Sequence, residues 1–76
     1  QFNIFPNPTH DQVNITLNTI DNGQIITIID LFGKEMLSSH LKQENLIIDL
    51  RSYHSGIYFV KVKTQKFIKS FKLIKI

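Results

Sequence analysis

The stretch Gln12 to Leu31, QVNITLNTIDNGQIITIIDL, decides the fold class. In its first part Val13, Ile15 and Leu17 alternate with Asn14, Thr16 and Asn18. That is the period of a strand with one face in a core and one in water. Asp21-Asn22-Gly23 follows, and an Asn-Gly pair readily adopts the positive φ values of a tight hairpin turn. The next segment, Gln24 to Leu31, is dense in β-branched residues and apolar on both faces, the pattern of a central strand with Ile26 and Ile28 pointing inward. The expectation is a hairpin in which these two segments pair.

Further along, Phe32-Gly33-Lys34 interrupts the run, with Gly33 free to take a left-handed backbone position at a hairpin corner, and Glu35 to Leu41 returns as a shorter strand. A third hairpin-like unit is predicted from Leu46, Ile48 and Leu50, which alternate with Ile47 and Asp49, through a loop at Arg51 to Gly56 into Ile57 to Thr64. Tyr58, Val60 and Val62 share one face of that last strand. On the other face Ile57 and Phe59 give way to Lys61 and Lys63, so the strand runs from cover toward solvent. The segment Lys66 to Ile76 has Phe71 and Leu73 as core anchors. Phe67, Ser70, Phe71 and Ile74 also fit a helical spacing, but the missing cap residue and the Phe and Ile content favour a strand. Six or seven short strands, turn signals roughly every 8 to 12 residues and almost no helix predict an all-β sandwich or barrel.

At 76 residues the chain is read as one domain, 1–76, with a compact core. It has no Cys, so neither a disulfide nor a thiolate metal site can staple it. No apolar run approaches the roughly 18 to 20 residues of a membrane-spanning helix. Residues 1–8 lack the basic and apolar regions of a leader, and the chain is expected to be a piece cut from a longer polypeptide.

The net charge of +3 conceals an asymmetry: residues 1–60 carry Lys34, Lys42 and Arg51 against six acids, whereas residues 61–76 carry six Lys and no acid. A cationic end suits an acidic partner, an anionic lipid or a nucleic acid. Lys on an edge strand also serves simply to keep sheets from aggregating.

Chemistry-bearing patterns are sparse. His10, His40 and His54 have no i, i+4 pairing, the Asp residues form no calcium loop, and Ser38, Ser39 and His40 would alternate between faces of a strand. No G-x-S-x-G elbow or phosphate loop is present, and Gly23, Gly33 and Gly56 stand where turns would put them. The expectation is a protein that is not an enzyme and holds no metal or cofactor. Lys61, Lys63, Phe67, Lys69, Phe71 and Lys72 interleave base and aromatic as single-strand nucleic-acid grooves do, a weak signal because Phe71 has a core role to fill.

Four stretches, in order, resemble the C-terminal sorting domain of the type IX (Por) secretion system of Bacteroidetes, in its type A form. Phe5-Pro6-Asn7-Pro8-Thr9 is similar to the opening (Y/F)PNP(T/A/S) motif. Ile28 to Lys34, with Asp30, Gly33 and Lys34, resembles the I-Y-D-x-x-G-K hairpin, with Ile29 in place of Tyr. Ile48-Asp49-Leu50 through Gly56, Tyr58, Val60 and Val62 resembles I-D-L…x-x-G-x-Y-x-V-x-V, with Tyr53 where Leu is usual. Lys69 to Ile76 is similar to the terminal strand.

The resemblance implies an Ig-like antiparallel sandwich of about seven strands. It also implies a signal that takes an N-terminal cargo domain of the same chain through the periplasm to the outer-membrane surface or the medium. Its partners would be the secretion machinery and a sortase-like protease that removes the domain, many cargoes then being anchored at the cell surface. No nucleic acid and no membrane span enter this picture. Lys69, Lys72, Leu73, Lys75 and Ile76 are expected to form the surface read by the machinery, while Pro6, Asn7 and Pro8 fix how the chain enters the first sheet. An Ig-like module binding protein or carbohydrate is the alternative, favoured if Tyr53, Tyr58 and Phe59 cluster on an exposed face.

Overall fold

A computed structural model of the chain describes residues 2–17, 24–40 and 44–76. These residues form seven strands and no helix: β1 (Phe2–Phe5), β2 (Gln12–Leu17), β3 (Ile25–Ile29), β4 (Glu35–His40), β5 (Asn45–Asp49), β6 (Gly56–Lys63) and β7 (Ile68–Lys75). They make two antiparallel sheets, one in the order β1-β2-β5 and the other β4-β3-β6-β7. This is the all-β, Ig-like sandwich that the alternating pattern and the resemblance imply.

The core is the meeting of one side-chain parity from each sheet. Val13, Ile15 and Ile48 from the three-stranded sheet meet Ile26, Ile28, Tyr58, Val60, Val62 and Leu73 from the four-stranded one, and Leu50 closes the cluster. Register lines these residues into rows: Ile4, Ile15 and Leu46 cross one sheet, and Leu37, Ile28, Val60 and Phe71 cross the other. Burial of each large aliphatic side chain contributes about 1.5–3 kcal/mol. With no cysteine in the chain, this packing and the ladders carry the fold.

The face assignments hold. Ile26 and Ile28 are fully buried, Tyr58, Val60 and Val62 share the inner face of β6, and Lys61 and Lys63 are exposed on its outer face. Within Lys66 to Ile76 the chain forms strand β7, Ile68–Lys75, and not a helix, with Leu73 in the core and Phe71 packed against it.

The pairings differ. β2 and β3 do not form a hairpin with each other: β2 sits between β1 and β5, while β3 sits between β4 and β6. The expected turn at Asp21-Asn22-Gly23 lies outside the described residues. Both strands need partners on two sides, and β2 takes one from Phe2–Phe5, a strand that the sequence reading leaves unassigned. β5 and β6 likewise belong to different sheets, so the loop at Arg51 to Gly56 is a crossover and not a hairpin turn. Local turn signals set where the chain bends, whereas the choice of neighbour is made by non-local burial. β4 and β5 also lie in different sheets, whereas the consecutive pairs β1–β2, β3–β4 and β6–β7 each pair antiparallel. Among the described residues no helix is long and apolar enough to cross a membrane.

Candidate functional site along the terminal strand

β7 is an edge strand, paired on one side with β6 from Gly56↔Lys75 to Lys63↔Ile68. Its start is set by Thr64, a buried residue whose Oγ1 accepts hydrogen bonds from the N–H groups of Lys66 (3.0 Å) and Phe67 (3.1 Å). The Thr64 N–H donates to the Phe67 carbonyl at 2.9 Å and closes the turn. A hydroxyl two or three residues upstream thus satisfies backbone donors that a tight turn would otherwise leave to water.

The far half of the strand is clamped by the opening segment. The Asn7 side chain donates through Nδ2 to the Lys72 carbonyl (2.8 Å) and accepts at Oδ1 from the Ile74 N–H (3.0 Å). The Thr9 N–H donates to the Ile74 carbonyl, and the Ile76 N–H donates to the Thr9 carbonyl, both at 2.9 Å. Thr9 is 1% exposed and its hydroxyl donates to the Gln12 carbonyl, which ties the clamp to the start of β2. Asn7 thereby acts as a side-chain substitute for a neighbouring strand, supplying one donor and one acceptor to an edge. Pro6 and Pro8 flank it and, lacking N–H groups, leave that pairing to Asn7 and Thr9.

The expected site residues are not all displayed together. Lys69 and Lys72 are exposed, but by strand alternation they stand on opposite faces of the sheet. Lys69 Nζ lies 5.2 Å from the centre of the Phe67 ring, a cation–π contact at the surface. Leu73 is fully buried. Lys75 is only 8% exposed, and its Nζ donates to the Ile76 carbonyl at 3.2 Å. The expectation that Lys69, Lys72 and Lys75 present one surface is therefore corrected: inner-face parity places Lys75 beside the core, where its stem is covered. Ile76 is half exposed.

Lys61 and Lys63, which the sequence places on the solvent-going face of their strand, stand on the outer face one strand in from Lys72. They border a concavity of about 600 Å³ with Ile25, Ile29, Glu35 and Ile68 among its lining residues. The only ion pair among the described residues is Arg51–Asp49, so none of the β6–β7 lysines is neutralised by a carboxylate there.

The other motif residues shape the two loops at the opposite end of β6. Asp30 Oδ1 accepts from the N–H groups of Phe32 (2.8 Å) and Lys34 (2.9 Å), and Gly33 takes φ 83°, the conformation that admits glycine readily. The Asp30 N–H donates to the Lys34 carbonyl, which closes the β3–β4 hairpin. Gly56, at φ 154°, begins β6. Two residues on, buried Tyr58 donates its hydroxyl to the His54 carbonyl at 2.7 Å and so pins the crossover loop. The two loops share a cleft of about 200 Å³ lined by Asp30, Phe32, Gly56 and Tyr58. Phe32, 94% exposed, projects from it.

Tyr53 and Tyr58 pack at 5.5 Å between centroids, and burial pushes the Tyr53 phenol above its usual range. Phe59, of opposite strand parity to Tyr58, lies on the outer face, so the three aromatics do not form one exposed platform. Asp49 and Arg51 make a two-pronged exposed pair, and the Arg51 side-chain and backbone N–H groups hold the Asp49 carboxyl at about 2. Among the described residues no group of three or more His, Asp or Glu is placed to hold a metal ion.

The chain matches the family model described as a secretion system C-terminal sorting domain over residues 3–76. No curated protein matches it.

Proposed function

This chain belongs to the family of secretion system C-terminal sorting domains, the signals of type IX secretion, and from that premise we propose that its folded terminal edge is the address the machinery reads. Membership implies interaction with the secretion system and with a cargo domain, and transit to the outer membrane or the extracellular space. The cargo preceding the domain passes through the periplasm, and a sortase-like protease then removes the domain and leaves cargo at the cell surface. The domain itself catalyses nothing and carries no cofactor.

The observation that supports this reading is β7: an edge strand rich in lysine, with no ion pair among the described residues, whose position is fixed by the family's opening motif. An address must hold one shape without disulfides, and a clamped edge does so. Exposed ammonium groups then offer charge-assisted hydrogen bonds to carboxylates on a receptor.

Fusion of the domain to a fluorescent reporter in a bacterium with type IX secretion tests the address. Export that disappears in a secretion-deficient strain, and on deletion of Lys69 to Ile76, is the expected result. Because that deletion also removes Leu73 from the core, the paired change Lys69→Gln with Lys72→Gln supplies a folded comparison, and it is expected to reduce export. A folded, intact fusion held in the periplasm overturns the reading and favours an Ig-like module that binds protein or carbohydrate.

A further inference from the structure

The near half of β7 is an unfinished ladder. In an antiparallel pair the backbone groups of alternate residues point to the two sides of the strand. The clamp uses the Lys72 carbonyl, both groups of Ile74 and the Ile76 N–H, so the even-numbered residues of β7 face away from β6. By the same alternation the N–H and C=O groups of Ile68 and Ser70, and the N–H of Lys72, also point outward. Among the described residues nothing meets them. All three residues are exposed.

We propose that this half-edge, Ile68 to Lys72, receives an extended acidic segment of a partner protein as an added strand. The inference rests on the address reading and names the chemistry of the partner. Three features choose the occupant. The edge beyond Lys72 already takes backbone hydrogen bonds from Thr9, through one isolated parallel bridge, so the outward groups of this strand can be met by another backbone. The outer face beside the gap carries Lys72, with Lys61 and Lys63 one strand further in, and residues 61–76 contain no acid. Glu35, the acid bordering the same face, belongs to β4 at the far edge of the sheet. The inner face carries half-buried Phe71 and exposed Lys69, whose Nζ lies over the Phe67 ring. A segment alternating acidic and apolar residues places carboxylates toward Lys61, Lys63 and Lys72 on the outer face and apolar side chains beside Phe71 and the Lys69 stem on the inner one. A second copy of β7 would bring lysine against lysine, which disfavours self-pairing.

The test is titration of the isotope-labelled chain with a synthetic peptide alternating valine and glutamate, followed by amide NMR and hydrogen exchange. The expected result is about tenfold slower exchange at the Ser70 and Lys72 amides, with contacts from the peptide backbone to β7. Binding is expected to disappear when alternate peptide amides are N-methylated, when glutamate is replaced by lysine, and in Ser70→Pro. The last change removes an outward donor at an edge position that tolerates proline. If Ser70→Pro does not fold, the N-methylated peptide still decides the question.

Equal binding of the methylated peptide, or shifts confined to lysine side chains, overturns strand addition in favour of simple anion contact. Protection of the same amides without peptide, rising with protein concentration, overturns it in favour of self-pairing. The measurement is independent of secretion: export without strand addition defeats this inference alone, and strand addition without export defeats the address reading.

Discussion

The two halves of β7 belong to one strand and share one ladder with β6, yet they meet their surroundings in opposite ways. From Lys72 to Ile76 the outward backbone is occupied by Asn7 and Thr9, Leu73 is in the core and the Lys75 stem is covered. From Ile68 to Lys72 no described residue meets the outward backbone, the side chains are exposed except for Phe71, and the lysines have no ion pair among the described residues. An edge strand is a hazard that proteins cover or charge. Here one strand does both, covering the half that must hold and charging the half that remains open.

The comparison can be broken hardest at Leu73. Leu73→Ala removes a fully buried side chain and is expected to cost about 2–5 kcal/mol, read as a lower denaturation midpoint at unchanged slope. Asn7→Ala acts on the clamp alone. Losing its donor and its acceptor is expected to cost about 1–2 kcal/mol and to speed exchange at the Ile74 amide while leaving Ser70 unchanged. If Asn7→Ala altered both halves equally, the distinction between them would fail. Lys69→Gln, in the open half, removes a surface cation–π contact and is expected to change stability by no more than about 0.5 kcal/mol. A larger loss would show that the open half also bears structural load.

These halves were unequally legible in the sequence. Alternation identifies the strands from Gln12 onward and assigns inner and outer faces, because side-chain parity is a local property of the backbone. The Asp30-x-x-Gly33-Lys34 corner is legible for the same reason: a carboxylate accepts from N–H groups two and four residues away, and a glycine supplies a positive φ. Parity cannot say which strand lies alongside. The Asp21-Asn22-Gly23 signal therefore suggested a hairpin between segments that pass into different sheets.

The same limit hid the covering of Lys75. Its residue type reads as surface, but its parity is that of Leu73, and the chain around Thr9 lies against it. The short strand Phe2–Phe5 is not legible in the sequence, because four residues before a proline carry too little alternation to mark a strand. The role of Asn7 could be inferred from the family motif as a structural one, but its partners, Lys72 and Ile74, could not.

Those partners stand 65 and 67 residues away along the chain. Closing so long a loop is slow compared with forming a hairpin, although its entropic cost grows only with the logarithm of length. A polypeptide made from its first residue onward displays Asn7 well before Ile74 exists, and a copy interrupted between them has nothing for Asn7 to hold. The clamp thus forms only on a chain that already includes β7, and it joins the segment before β2 to the strand that comes last in chain order among the seven.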